Sequence, residues 1–156
     1  RDCLLSRGLG DVYKRQVEQA ICLLIIIAHS NDEKPLKSYN ISDSLGVSDS
    51  YLKKIIRQLV VAGLITSEAG KKGGVCLSRK PDKITLLDIF EAIEGKEPFA
   101  KATGLVERVF VNELKEIMDQ KQAMILDAFN AAEASYKEKL KTITLKMAMV
   151  ERKKDS

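Results

Sequence analysis

The sequence predicts a mostly α-helical fold with one small β-hairpin. Apolar residues recur at three- and four-residue spacing along several segments, which is the pattern of helices with one buried face. Two short apolar stretches flank a polar, glycine-rich segment, which indicates a hairpin. The 156 residues suffice for one core and are too few for two large domains, so we expect one compact domain with an accessory helical segment.

The first predicted helix runs from Val17 to His29 and is apolar over most of its circumference. A polar turn, Ser30 to Pro35, ends it. Residues 1–16 show no helical or strand period and lack the features of a signal peptide, so we expect a disordered leader or a translation artefact there. The longest apolar run, Ala20 to Ala28, falls short of the ~20 residues of a membrane span, which predicts a buried core helix and no membrane partner.

Two helices in quick succession follow, separated by a glycine. The first is predicted over Ser38 to Leu45, and Gly46 suits the left-handed conformation that ends many helices. Ser48 is a good N-cap for the second, Asp49 to Ala62, because its hydroxyl can accept a hydrogen bond from an N–H of the first turn. The succession of helix, tight turn and helix predicts a helix-turn-helix unit.

The helix from Asp49 to Ala62 has one apolar face and one polar, basic face. The apolar positions are Leu52, Ile55, Ile56, Leu59 and Val60, and the polar ones are Asp49, Ser50, Lys53, Lys54, Arg57 and Gln58. The major groove of B-DNA is about 12 Å wide and admits one such helix. We predict that Ser50, Tyr51 and Lys54 project toward DNA, with Lys53 and Arg57 as further cations. An ordinary solvated face explains this helix alone equally well.

A hairpin after Gly63 strengthens the DNA-binding interpretation. Its predicted strands are Leu64 to Thr66 and Val75 to Leu77, and the loop between them contains Gly70-Lys71-Lys72-Gly73-Gly74. The glycines permit backbone geometries that other residues resist, and Lys71 and Lys72 at the loop tip can reach phosphates. A nucleotide-binding loop is the alternative, but such loops join a strand to a helix and follow their lysine with Ser or Thr. The sequence therefore predicts a winged helix-turn-helix domain.

Helical patterns resume after the hairpin. Thr85 and Asp88 resemble a capping box at the start of a helix that ends at Gly95. Two amphipathic stretches follow, Leu105 to Met118 and Ile125 to Leu140, and both two helices and one long interrupted helix fit them. One short domain cannot cover their apolar stripes, so we expect another subunit to meet them.

These patterns predict four parts along the chain. Residues 1–16 form the leader or artefact, and residues 17–95 form the winged helix-turn-helix domain. Residues 96–150 form a helical dimerisation and possible sensor segment, and residues 151–156 form a disordered tail.

The composition limits the classes of function that the chain can have. The net charge of +4 mildly favours a polyanionic partner. Three cysteines without paired spacing fit a reducing cytoplasm rather than a disulfide scaffold. Cys22 and Cys76 are the possible redox sensors, although we expect both thiols to be buried and inert. Of the two, Cys76 is the better candidate, because Lys71 and Lys72 lie close to it in sequence and a cationic neighbour makes a thiol more reactive. His29 is the single histidine and no catalytic motif is recognisable, so we predict no enzyme and no metal site.

The sequence resembles the Rrf-two family of transcription regulators, of the iron–sulfur cluster regulator and nitrite-sensitive repressor type. The resemblance covers about Val17 to Gly95 and, more weakly, Leu126 to Leu145. Its most specific matches are Val47 to Leu52, Leu59 with Ala62 to Ser67, Gly70 to Gly74, and Asp82 to Ile89. Several matches in the same order are hard to attribute to chance.

The resemblance implies a bacterial homodimer, held largely by a long C-terminal helix, that reads a palindromic operator in double-stranded DNA. Recognition helices would enter major grooves, with the wings near minor grooves. Ser48, Ser50, Tyr51 and Lys54 fall where family members contact DNA, and Gly70 falls at the wing tip. We expect the protein to be a repressor. The resemblance does not identify the effector that it responds to.

The sequence departs from the family pattern in two places. Ala69 stands where an arginine commonly precedes the wing glycine, and Val75 stands where an aromatic residue often follows the double glycine. A winged-helix module that binds a protein instead of DNA is therefore the alternative function. Cluster-binding members carry three closely spaced cysteines after the helix that ends near Gly95, and this chain has no cysteine beyond Cys76. We predict that it binds no iron–sulfur cluster and no other cofactor.

Overall fold

The computed structural model of the chain describes residues 3–30, 36–70, 73–111 and 114–150, with side chains for all of these except residues 3–14 and Tyr39. The predicted tail, residues 151–156, lies outside the described residues. The chain divides into two compact units. Unit 1 comprises the described residues up to Gly95 together with those from Lys141 onward, and unit 2 comprises Lys96–Leu140.

Unit 1 begins with helix α1, Cys3–His29. The predicted end at His29 is confirmed, but the helix starts at Cys3 rather than at Val17. Elongation of an existing helix adds a hydrogen bond for each residue and needs no apolar stripe, so periodicity did not indicate this extension. Ala20, Leu23 and Leu24 are fully buried, as predicted for a core helix. No helix within the described residues is long and apolar enough to cross a membrane.

The predicted helix-turn-helix is confirmed. Helix α2 spans Ser38–Leu45 and is followed by Gly46 with a φ of 62°, the left-handed conformation that a side chain would strain. Helix α3 spans Asp49–Val61, and the hydroxyl of Ser48 accepts a hydrogen bond from the Tyr51 N–H over 3.3 Å. That bond satisfies one of the N–H groups that the first turn of a helix leaves without an intrahelical partner.

The predicted hairpin follows α3. Strand β1, Ile65–Glu68, pairs antiparallel with β2, Gly74–Leu77, in a register that places Ile65 opposite Leu77 and Glu68 opposite Gly74. Leu36 extends this sheet on the other side of β2. Its N–H donates to the Val75 carbonyl over 3.2 Å, and its carbonyl accepts from the Val75 N–H over 2.9 Å. The sequence did not indicate this third partner, because a single paired residue has no periodicity.

Helix α4, Leu86–Glu94, begins with the predicted capping box. The Thr85 hydroxyl accepts from the Asp88 N–H over 3.1 Å, and the Asp88 carboxylate accepts from the Thr85 N–H over 2.9 Å. Aspartate therefore fills the role that glutamate or glutamine usually takes. A short 3-10 turn, Pro81–Lys83, precedes this helix.

Two residues of α3 depart from their predicted environment. Val60 was placed on the buried face and is 37% exposed, whereas Leu52, Ile55, Ile56 and Leu59 are buried as predicted. Gln58 was placed on the polar face and is only half-buried, and its Nε2 donates to the Ile93 carbonyl of α4 over 3.2 Å. The packing of α4 against α3 covers that side of the helix, which periodicity within α3 cannot show.

Unit 2 contains helix α5, Leu105–Val109, and most of helix α6, Lys115–Lys141. The last residue of α6, Lys141, is the first residue of the segment that belongs to unit 1 again. Of the two predicted arrangements, two helices are found, but the break lies inside the stretch from Leu105 to Met118, because Phe110 has a ψ of 47° and ends α5. The run Val109-Phe110-Val111 consists of β-branched and aromatic residues, which lose side-chain freedom in a helix. The stretch from Ile125 to Leu140 is helical as predicted and lies inside α6.

The segment after Lys141 returns to unit 1. The Leu145 N–H donates to the Ile84 carbonyl over 2.8 Å, and the Leu86 N–H donates to the Ile143 carbonyl over 2.9 Å. Helix α7, Leu145–Ala148, starts at this contact, and Leu145 is fully buried. The core of unit 1 therefore includes Leu145, which lies more than fifty positions beyond the end of α4. Leu145 lies near the end of the segment predicted over residues 96–150.

Candidate nucleic-acid interface

The exposed face of α3 is basic. Lys53, Lys54 and Arg57 are all exposed, and they lie on the side opposite the buried Leu52 and Ile55. Because the helix turns once every 3.6 residues, these three cations share one surface. The buried face fixes α3 to the core and leaves its cations to the solvent.

The acidic residue of α3 is held by α2. The Ser42 hydroxyl donates to a carboxylate oxygen of Asp49 over 2.6 Å, and Ser42 is itself 8% exposed. The negative charge at Asp49 also lies in the first turn of α3, where the helix dipole stabilises it. Asp49 therefore ties the two helices together, and the exposed cations set the charge of the outer face.

Two predicted site residues lie together at the N-terminus of α3. The Ser48 and Ser50 hydroxyl oxygens are 3.2 Å apart, and both residues are exposed. Ser48 already accepts from the Tyr51 N–H, so its position is fixed by its role as a cap. Ser50 is in the first turn of α3, which is the part of a recognition helix that meets base edges.

Tyr51 has a partner in α1. Its hydroxyl donates to Oε1 of Gln19 over 2.8 Å, and the side chain is half-buried. In this structure the Tyr51 hydroxyl therefore connects α3 to α1. Nothing in the sequence pointed to Gln19, because it lies 32 residues from Tyr51. A contact between Tyr51 and DNA stays a prediction.

The hairpin loop makes a tight return at Gly73. The Gly73 N–H donates to the Gly70 carbonyl over 3.1 Å, and a Cβ atom at Gly73 would lie 2.2 Å from the carbonyl oxygen of Glu68. Real Cβ atoms do not approach so closely, so the return requires glycine. Gly70 is exposed, as expected of a loop residue, and the predicted contacts Lys71 and Lys72 lie outside the described residues.

The two possible redox cysteines, Cys22 and Cys76, are both free thiols. Cys22 is exposed on α1, which corrects the prediction of a buried thiol, because its side chain lies on the outer face of a helix that is not buried all round. Cys76 is half-buried in β2, opposite Thr66. Within the described ranges, no three His, Cys, Asp or Glu side chains are grouped to hold a metal ion. Cys22 and Cys76, the cysteines whose side chains the structure describes, do not supply the set of thiolates that an iron–sulfur cluster needs.

A helix-turn-helix with a basic outer helix, followed by an antiparallel hairpin, defines a winged helix-turn-helix protein. Two solved structures share the fold. CymR (YrzC), the global cysteine regulator of B. subtilis, is 24% identical and aligns over 85% of this chain and 92% of its own with a TM-score of 0.58. IscR of T. potens is 24% identical and aligns over 85% of this chain and 82% of its own with a TM-score of 0.59.

The chain belongs to the Rrf2 family, which is described as "Iron-dependent Transcriptional regulator" and which matches residues 13–151. It is 38% identical over 117 residues to YwgB of Bacillus subtilis (strain 168), which is named as an HTH-type transcriptional regulator, and the alignment covers 75% of each chain. These matches confirm the family resemblance, and the chain is a DNA-binding transcription regulator.

Proposed function

We propose that the chain is a bacterial, cytoplasmic repressor that binds a palindromic operator as a homodimer. The observation that carries this proposal is the outer face of α3, where three exposed cations, Lys53, Lys54 and Arg57, outnumber one exposed carboxylate, Asp49, which accepts a hydrogen bond from Ser42. A dimer related by a two-fold axis presents two such helices, which favours an operator with two related half-sites. A dimer bound over a promoter blocks transcription.

The proposed contacts fall into two groups. Ser50 and Lys54, with Ser48 and Tyr51 beside them, lie at the N-terminal part of α3 and are proposed to face base edges. Gly70, Lys71 and Lys72 belong to the wing and are proposed to approach the neighbouring backbone. Contacts to bases specify the sequence, whereas contacts to phosphates position the protein.

The proposed dimer surface is an apolar stripe on α6. Ile117, Met124, Ile125 and Phe129 are between 49% and 59% exposed, and their spacing places them on one side of the helix. Leu105 and Val109 on α5 are further exposed apolar residues of unit 2. A second copy of the chain presents the same stripe. Full burial of an exposed side chain of this size contributes about 1.5–3 kcal/mol, so these half-exposed side chains would each contribute roughly half of that. This supports a homodimer.

The experiment is a selection of bound sequences from a random duplex library, followed by titration of the selected duplex at two salt concentrations. A palindromic product that binds more tightly at low salt supports the proposal, because phosphate contacts release counterions. A product without two-fold symmetry would contradict the palindromic operator. A reporter gene behind the selected sequence then tests repression, and higher expression in the presence of the protein would contradict it.

The alternative function is a protein-interaction module without DNA binding, and Ala69 in place of the wing arginine favours it. No enrichment in the selection would support this alternative. We assign the chain a binding role rather than an enzymatic one, since the described residues hold no catalytic constellation around His29 or the cysteines.

A further inference from the structure

Gln58 of α3 turns its side chain toward α4 rather than toward the solvent. It follows the exposed Arg57 and precedes the fully buried Leu59, and it is itself half-buried. Its Nε2 donates a hydrogen bond to the carbonyl of Ile93 over 3.2 Å, and Ile93 is only 8% exposed. Gln58 thus joins the proposed recognition helix to α4 across 35 residues of sequence.

The carbonyl that Gln58 meets lies at the C-terminal end of α4. This helix ends at Glu94, and the N–H of Gly95 donates to the carbonyl of Glu91. The last carbonyls of a helix lack N–H partners within the helix, so they need donors from elsewhere. Gln58 therefore supplies from α3 a donor that α4 does not provide for its own end.

The oxygen of the Gln58 amide has no such partner. Oε1 is buried and accepts no hydrogen bond from the residues that the structure describes. A buried acceptor of this kind costs free energy, which an apolar side chain of similar size avoids. Stability therefore does not account for an amide at this position. What the amide adds is direction, because an N–H···O bond constrains distance and angle whereas apolar contact does not.

The side of α3 that Gln58 occupies also carries two of the proposed base contacts. Ser50, Lys54 and Gln58 are spaced four residues apart, so they follow one another along one side of the helix. At 1.5 Å per residue, Ser50 lies about 12 Å along α3 from Gln58. Side chains that recognise a partner must be held within about 0.5 Å of their productive positions. A small shift of α3 at Gln58 is therefore enough to displace Ser50 and Lys54 from the bases.

We infer that Gln58 is a positioning residue of the recognition helix, which sets the selectivity for the operator through its bond to α4 and without touching DNA. The inference rests on the proposed function. Through the Ile93 carbonyl, Gln58 holds Ser50 and Lys54 in one position relative to the core. It acts on the recognition of bases and leaves the phosphate contacts of the protein as they are.

The test measures the affinity of the full chain for the selected duplex and for a scrambled duplex, together with the free energy of unfolding by chemical denaturation. Gln58→Met removes the donor and the unpaired acceptor but keeps an unbranched side chain of similar length. It should lower affinity for the selected duplex by at least about fivefold, the lower end of the loss that a mismatched base pair causes. Affinity for the scrambled duplex and the free energy of unfolding should be retained.

A rescue variant and a control variant accompany this substitution. Gln58→Lys restores a donor at the end of α4, where the helix dipole favours a positive charge. It should recover the ratio of the two affinities, in which the effect of the added charge on both duplexes cancels. Val61→Met places the same new side chain at an 80% exposed position of α3 and should change neither affinity.

A double variant tests whether Gln58 acts through its neighbour. In a Lys54→Ala background, Gln58→Met should weaken binding to the selected duplex by a smaller factor than in the wild type, because the contact that it displaces is already gone. Equal losses in the two backgrounds would overturn the inference, since Gln58 would then contact the bases by itself.

The other outcomes separate the two proposals. If the wild-type chain binds no duplex at low salt, the proposed function and this inference both fail. If the wild type distinguishes the two duplexes and Gln58→Met distinguishes them equally well, this inference alone fails. A Gln58→Met chain that unfolds, or that loses affinity for both duplexes alike, would also overturn it, because Gln58 would then serve the stability of the core and not the selectivity of α3.

Discussion

The Tyr51 hydroxyl of α3 donates a hydrogen bond to Oε1 of Gln19 in α1 over 2.8 Å. α1 packs in the core through Ala20, the neighbour of Gln19, and α3 packs there through Leu52, the neighbour of Tyr51. The bond therefore lies at the rim of this core and links α3 to α1.

Replacement of Tyr51 by phenylalanine should destabilise the protein by about 1 kcal/mol, because it leaves the half-buried Gln19 oxygen without this donor. Chemical denaturation of Tyr51→Phe, Gln19→Leu and the double variant measures the coupling between the two side chains. The control is Ser50→Ala, which removes a neighbouring exposed hydroxyl. It should change the free energy of unfolding by the same amount in the wild type and in Gln19→Leu, because Ser50 does not bond to Gln19. Strictly additive effects of the Tyr51 and Gln19 substitutions would show that the bond contributes nothing.

Replacement of Gly73 by alanine should distort the hairpin loop. The added Cβ would meet the Glu68 carbonyl oxygen at 2.2 Å, so the backbone must move, at a cost of about 1–3 kcal/mol. We expect weaker binding to DNA with little change in the helical circular dichroism signal. The control is Thr66→Ala on the exposed side of β1. Equal affinity for DNA in Gly73→Ala and Thr66→Ala would contradict the need for this loop shape.

Replacement of Phe129 by lysine should separate the proposed dimer. Phe129 is 54% exposed on the apolar stripe of α6, and a buried unpaired charge opposes association strongly. The matched control is Asn130→Lys, which adds the same charge to the next, exposed residue on the opposite side of the helix. Light scattering at micromolar concentration should give a dimer for the wild type and Asn130→Lys, and a monomer for Phe129→Lys. A wild-type monomer would refute the dimer itself.

The Glu133 carboxylate should make stability depend on pH. Its pKa is lowered from 4.5 by a hydrogen bond from Lys137 and then by the Phe99 N–H, which donates over 3.0 Å. The carboxylate thus stabilises the fold fully above pH 4.5, and this contribution is lost as the pH falls through the lower pKa of the folded state.

The measurement is the denaturation midpoint of the wild type and of Glu133→Gln between pH 7 and pH 3. The variant should be less stable than the wild type at neutral pH, and the difference should shrink in acid. Glu138→Gln, on the next turn of α6, is the control for a general loss of negative charge. A difference that stayed constant with pH would show that the ionised carboxylate is not responsible.

The local elements of unit 1 could be predicted from the sequence. Gly46, the Ser48 cap and the Thr85–Asp88 capping box act over four residues or fewer, so each is visible in the order of side chains. The buried face of α3 followed from spacing alone. The break after α5 was missed, because the apolar pattern continues through Phe110 and Val111 while the backbone leaves the helix.

The sequence by itself determined helices α2 to α4, the hairpin and the basic face of α3, because periodicity, caps and glycine act between near neighbours. Only the tertiary structure decided which distant groups meet. Gln19 bonds to Tyr51, Gln58 to Ile93, and Leu145 to Ile84, each across at least thirty residues. A pattern shows which face of an element is buried, but the partner of a polar group depends on how separate elements pack, and that is set by the whole core at once.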